Sequence, residues 1–88
     1  MTWRVQFSQK AARQLDSIHE PDHSRLQRRI LDLENHPHPP GAIQVKGTGY
    51  LRLRVGDWRV LYTLAEAERI VRVVYVLRRN EWTYSRLI

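Results

Sequence analysis

The chain has 88 residues, which is enough for one small domain and too few for a second. Its hydrophobic fraction of 42% and charged fraction of 27% are ordinary for a folded protein and exclude extended disorder. The charge is unusual, because 15 lysine and arginine residues against 9 acidic ones give +6. Most of this surplus lies after residue 44, and most of it is arginine, which favours a polyanionic partner.

The residue types that are missing exclude several other classes of protein. The chain has no cysteine, which excludes disulfides, thiolate metal sites and a cysteine nucleophile. No apolar run reaches the length of a membrane span, and the first residues do not resemble a signal peptide. We therefore expect a cytoplasmic protein with no membrane association.

The first half of the chain predicts one strand followed by two helices. Apolar residues alternate with polar ones from Trp3 to Phe7, as in a strand with one buried face. Ser8 is a suitable N-cap for a helix over roughly residues 9–18. Pro21 suits the first turn of a second helix, which ends at Asn35. The short connection predicts an antiparallel helical hairpin.

The second half predicts a sheet. Residues 36–49 are rich in proline and glycine and are expected to form a loop. Period-two alternation then predicts three strands, over 50–55, 58–64 and 70–77. The element order is β-α-α-β-β-β, in a single domain covering residues 1–88 with a short C-terminal segment left unassigned. We expect an α+β fold with the helices on one side of a twisted antiparallel sheet.

The first hairpin has a register that follows from its turn. Gly56-Asp57 suits a two-residue type II′ turn, which pairs Arg54 with Arg59. Arg52, Arg54 and Arg59 then share one side of the sheet, which we call the arginine face. Like charges directly opposite each other cost about 0.2–1 kcal/mol per pair. A surface that only faces solvent is expected to carry both positive and negative side chains. A face that carries only positive side chains therefore favours anion binding. An acidic protein partner is a compatible alternative.

Two more arginines join this face if the second turn is also tight. A two-residue turn at Glu66-Ala67 pairs Leu61 with Arg72 and places Arg72 and Arg78 on the arginine face. A shift of one residue in register reverses this assignment.

An arginine cluster can bind a phosphate and stabilise the charge of a phosphoryl-transfer transition state. Because the sequence offers neither cysteines nor clustered carboxylates, we expect no metal or other cofactor. RNA permits metal-free cleavage, since its own 2′-hydroxyl can attack the phosphate and leave a 2′,3′-cyclic phosphate. Lys46 or Tyr84 could transfer protons. The aromatic residues that could stack an unpaired base are Tyr50, Trp58, Trp82 and Tyr84.

The basic strand, the Gly-Asp turn and the end of the last strand together resemble a known family. The segment from Val45-Lys46-Gly47 to Trp58-Arg59-Val60-Leu61-Tyr62, with Leu77-Arg78-Arg79-Asn80-Glu81, is similar to the RelE/ParE toxins of bacterial type II toxin–antitoxin systems. The resemblance implies a microbial RNase/RelE-like fold. RelE-like members are ribosome-dependent mRNA endonucleases, and ParE-like members inhibit DNA gyrase without cutting RNA. Both are neutralised by a cognate antitoxin.

The resemblance also implies roles for individual residues. The implied catalytic residues are Arg52, Arg54, Arg59, Arg78 (with Arg79 as the register alternative) and Tyr84. The further RNA-binding candidates are Lys46, Arg72, Arg79 and Trp82. Arg52 and Arg54 stand where some members of the family have lysine, and an arginine is a poor general base. The role of general base is therefore assigned to Tyr84 or left unassigned. We expect an mRNA endonuclease acting on the ribosome, with a gyrase inhibitor or a plain nucleic-acid-binding module as alternatives.

The remaining candidates have simpler interpretations. The four histidines (His19, His23, His36 and His38) lack a spacing that would hold a metal. Trp3 and Trp58 fall on predicted buried faces and are expected in the core. The arginines of the second helix, Arg25, Arg28 and Arg29, are interpreted as a solvated face, with an extension of the RNA-binding surface as the alternative.

Overall fold

A computed structural model describes residues 2–79 and shows two helices beside a five-stranded sheet. The helices are α1 (Gln9–Asp16) and α2 (Asp22–Leu31), and a 3₁₀ turn (Asp32–Glu34) extends α2. The strands are β1 (Arg4–Phe7), β2 (Ile43–Gln44), β3 (Leu51–Val55), β4 (Trp58–Ala65) and β5 (Ile70–Arg78). The predicted α+β class and element order are confirmed, with the short β2 added inside the predicted loop. No helix in the described residues is long and apolar enough to cross a membrane.

Helix α1 starts where its capping residue predicts. The Ser8 hydroxyl accepts a hydrogen bond from the Ala11 N–H at 3.0 Å, as an N-cap does. The same hydroxyl donates to the Val74 carbonyl of β5 at 2.8 Å, so it also joins the helix start to the sheet. The hairpin of α1 and α2 covers one side of the sheet, which we call the helix face.

The sheet is mixed, with the strand order β1-β5-β4-β3-β2. Strand β1 runs parallel to β5, and the other neighbours are antiparallel. The expectation of an entirely antiparallel sheet is therefore wrong at β1. Strands β1 and β5 are far apart in the chain, so no hairpin turn requires them to be antiparallel.

The predicted register of the first hairpin is confirmed, and that of the second is wrong. Arg54 pairs with Arg59, and Gly56 has the positive φ of 58° that the first position of a type II′ turn needs. The second connection has four residues instead of two (66–69). Arg72 consequently pairs with Thr63 and not with Leu61. Because Thr63 and Leu61 lie on the same side of β4, Arg72 still lies on the arginine face.

A β-bulge in β5 changes the position of the last arginine. Leu61 pairs with Tyr75 and Tyr62 pairs with Val73, so Val74 is an extra residue without a partner on β4. One extra residue reverses the alternation of side chains beyond it. Arg78 therefore pairs with Trp58 and lies on the helix face, so its predicted place on the arginine face is wrong.

The main core lies between the helices and the helix face. It is formed by apolar side chains of both helices and of β3, β4 and β5, among them Leu26, Ile30, Leu53, Val60 and Val73. Trp58 is buried here, as predicted, and Trp3 packs partly buried against the same cluster. This packing fixes the orientation of β3 and β4, and hence of the polar side chains on their opposite side.

Candidate anion-binding site

The arginine face is organised in two rows that run across the sheet. One row contains Ile43, Arg52, Leu61 and Tyr75, which are successive partners on β2, β3, β4 and β5. The other contains Arg54, Arg59 and Leu77. Arg52, Arg54 and Arg59 are thus brought together, as the sequence predicts. Leu61 and Leu77 are buried, which gives the arginines an apolar surface beside them.

Arg54 and Arg59 lie directly opposite each other on neighbouring strands. Within residues 2–79, no carboxylate forms an ion pair with Arg52 or Arg54. Two guanidinium groups on directly opposed positions can bind an anion placed between them.

The Arg59 side chain is held against the turn that precedes it. Its Nη1 donates to the carbonyl oxygens of Trp58 at 2.9 Å and Gly56 at 3.2 Å. These bonds restrain a long side chain and reduce the entropy lost when it binds a ligand. Arg59 is also half-buried, which strengthens its interaction with an anion.

An aromatic pair lies beside the arginines. The rings of Tyr50 and Tyr75 meet edge to face with centroids 6.1 Å apart, and the Lys10 ammonium lies 5.7 Å from the Tyr75 centroid. Tyr75 shares a row with Arg52, so a ring next to a phosphate site is available for stacking a base. Sequence reasoning proposed Tyr50 but missed Tyr75 and Lys10. Tyr75 reaches this face only because of the bulge, which has no evident signal in the sequence.

The other predicted site residues are scattered around this face. Lys46 is exposed in the loop between β2 and β3, and Arg72 is exposed on β5 opposite Thr63. Arg79 is exposed, and its backbone N–H donates to the Asp57 carbonyl at 2.6 Å. Arg79 directly follows the last residue of β5. Trp82 and Tyr84 lie outside the described residues.

Arg78 lies on the helix side of the same sheet end. Its guanidinium carbon is 4.8 Å from the Trp58 ring centroid, in a cation–π contact. The Trp58 indole N–H donates to Asp22 Oδ2 at 3.0 Å, which ties the ring to the start of α2. These three residues line a cleft of about 400 Å³ beside the α1–α2 connection.

The histidines form no common site within the described chain. His23 Nδ1 donates to the Leu15 carbonyl at 2.9 Å, which is a structural contact between the helices. No three histidine, aspartate or glutamate side chains in residues 2–79 converge as a metal site would require.

Known structures share this combination of a helical hairpin and a mixed sheet. The RelE–RelB complex from Pyrococcus horikoshii OT3 is 26% identical, with a TM-score of 0.79 over 92% of this chain and 99% of that one. The RelBE2 complex from Mycobacterium tuberculosis is 21% identical, with a TM-score of 0.77 over 90% and 100%. The isolated Escherichia coli RelE toxin is 13% identical, with a TM-score of 0.77 over 97% and 94%. No curated protein matches the sequence.

The fold is thus that of the RelE-like toxins of type II toxin–antitoxin systems. The family model described as the ParE toxin of the type II toxin–antitoxin system parDE matches residues 5–81. The chain belongs to this family of toxins.

Proposed function

We propose that this toxin is an mRNA endonuclease that acts on the ribosome and needs no metal. The observation that supports it best is the position of Arg54 and Arg59 opposite each other and next to Arg52, which gives an RNA phosphate three guanidinium groups on one side of the sheet. The adjacent Tyr50 and Tyr75 rings supply a stacking surface that an unpaired base of single-stranded RNA requires.

The proposed reaction uses the 2′-hydroxyl of the RNA as its nucleophile. O2′ loses its proton and attacks the adjacent phosphorus, the P–O5′ bond breaks, and O5′ takes up a proton. The products are a 2′,3′-cyclic phosphate and a 5′-hydroxyl end. Arg54 and Arg59 bind the non-bridging oxygens and stabilise the charge of the transition state, and Arg52 holds the next part of the strand.

Proton transfer is assigned separately from phosphate binding, because a guanidinium stays protonated and is a poor base. Tyr84 is proposed to transfer a proton or to stack, as the resemblance to RelE implies. Arg78 lies on the helix side of the sheet end, so Arg79 is proposed to take its place in contacting the RNA on the arginine face.

Two kinds of partner follow from this proposal. The ribosome presents the mRNA, and a cognate antitoxin blocks the toxin, as the relatives solved as RelE–RelB complexes suggest. The same basic face that binds RNA is suited to an acidic segment of the antitoxin.

Substitution of Arg59 tests the proposal. Arg59→Ala should abolish mRNA cleavage, scored by primer extension on ribosome-bound mRNA, while Arg13→Ala, an exposed arginine on α1, should leave it unchanged. Full cleavage by a folded Arg59→Ala variant would contradict the proposed role.

A gyrase inhibitor is the second candidate function, because the family model that matches residues 5–81 is named for ParE. In this case the purified toxin would block supercoiling by DNA gyrase and leave ribosome-bound mRNA intact. Assaying both activities on the same preparation separates the two candidates.

A further inference from the structure

The turn between β3 and β4 is the point at which the arginine face meets helix α2. Arg59 reaches the turn from the arginine face, with Nη1 3.2 Å from the Gly56 carbonyl oxygen. Arg25 reaches it from α2, with Nη1 3.7 Å from the place where a Cβ on Gly56 would lie. Two arginines from opposite sides of the sheet therefore approach the same glycine.

Arg25 lies near the turn, and its exposed side chain has donors that can reach a ligand. Asp22 Oδ1 lies 4.0 Å from Arg25 Nη1, and the other oxygen of Asp22 accepts the hydrogen bond from Trp58. The carboxylate thus links the start of α2 to the first residue of β4. The Arg25 side chain is 59% exposed, and a guanidinium has five N–H donors.

We propose that Arg25 is a second phosphate-binding side chain, and that an RNA strand bound on the arginine face continues over the Gly56-Asp57 turn to reach it. This inference rests on the proposed function and extends its site from the sheet to α2. Glycine at position 56 keeps the crossing point free of a side chain, and Arg78, beside Trp58, adds positive charge on the far side.

Arg25 differs from Arg28, on the same helix, in its position next to the turn. Arg28 is exposed on α2 and has no described contact with the turn. Arg28→Ala therefore removes the same charge from the same element, and it is a matched control for Arg25→Ala.

The test measures binding of a short fluorescein-labelled 2′-O-methyl oligouridylate, which the toxin cannot cleave, by fluorescence anisotropy over a series of salt concentrations. Arg25→Ala should weaken binding several-fold and reduce the slope of log K against log salt by about 0.7, the value for one phosphate contact on a single strand. Arg28→Ala should leave the slope unchanged, and Arg25→Lys should restore part of the affinity. Far-UV circular dichroism checks that each variant is folded.

Equal slopes for Arg25→Ala and Arg28→Ala, or no binding of the oligouridylate by the unaltered toxin, would overturn this inference. The outcome is independent of the cleavage assay. If Arg59→Ala abolishes cleavage but Arg25→Ala leaves oligouridylate binding unchanged, only the extended site is refuted. If Arg25→Ala weakens oligouridylate binding but the unaltered toxin does not cleave ribosome-bound mRNA, only the proposed endonuclease activity is refuted.

Discussion

Arg54 is expected to lower stability while it serves binding. It lies directly opposite Arg59, and like charges in such a pair cost about 0.2–1 kcal/mol. Arg54→Gln should therefore raise the free energy of unfolding by about this amount, measured by urea denaturation, and weaken binding of the oligouridylate. Arg72→Gln is the control, because Arg72 faces Thr63, and its stability should change little. A loss of stability in Arg54→Gln would show that the pair is not repulsive.

Tyr62 makes the stability of the fold sensitive to alkaline pH. Burial raises the pKa of Tyr62 from 10.0 to about 12, because the charged phenolate is poorly solvated. This residue affects the free energy of unfolding little below about pH 10 and lowers it as the pH rises from about 10 to 12, since the unfolded state ionises first.

Replacing Tyr62 with phenylalanine tests this dependence. Tyr62→Phe should reduce the alkaline fall in stability, followed by urea denaturation at increasing pH. At neutral pH the variant should be about 1 kcal/mol less stable, because the hydroxyl donates to the Pro37 carbonyl at 2.9 Å in the native fold. If the free energy of unfolding of Tyr62→Phe falls as much at alkaline pH as that of the unaltered protein, other groups cause the fall.

At the level of elements, Ser8 joins the start of α1 to the bulge in β5. Its hydroxyl caps the helix through Ala11 and donates to the carbonyl of Val74, the extra residue of the bulge. Ser8→Ala should lower the free energy of unfolding by about 1–2 kcal/mol. Ser17→Ala, which removes one exposed hydrogen bond at the other end of α1, should have a smaller effect. Similar losses in both variants would argue against the double role of Ser8.

The sequence predicts those elements whose partners are close in the chain. The pairing of Arg54 with Arg59 follows from a two-residue turn, and this local geometry leaves one register. The parallel pairing of β1 with β5 joins residues at opposite ends of the chain, so no turn specifies it. The bulge at Val74 likewise has no local signal, and it alone moves Arg78 off the arginine face and brings Tyr75 onto it.

At the level of the whole molecule, the two edges of the sheet differ. The outer edge of β1 is closed by the 3₁₀ turn, where the Glu34 carbonyl accepts from Trp3 N–H at 2.8 Å and its carboxylate accepts from Val5 N–H at 3.2 Å. The other edge is the two-residue strand β2, where Ile43 is 47% exposed next to Arg52. The less protected edge therefore adjoins the arginine face.

The net charge of +6 should control how fast the cognate antitoxin binds. A basic face attracts an acidic partner over distances that salt screens, so electrostatic steering affects the association rate more than the dissociation rate. We expect the association rate constant, measured by stopped-flow fluorescence, to fall steeply as the salt concentration rises, with little change in dissociation. Arg52→Gln and Arg54→Gln should each make this dependence shallower, because each removes one charge from the face that the antitoxin approaches. An association rate that is independent of salt would place the antitoxin's first contact away from the arginine face.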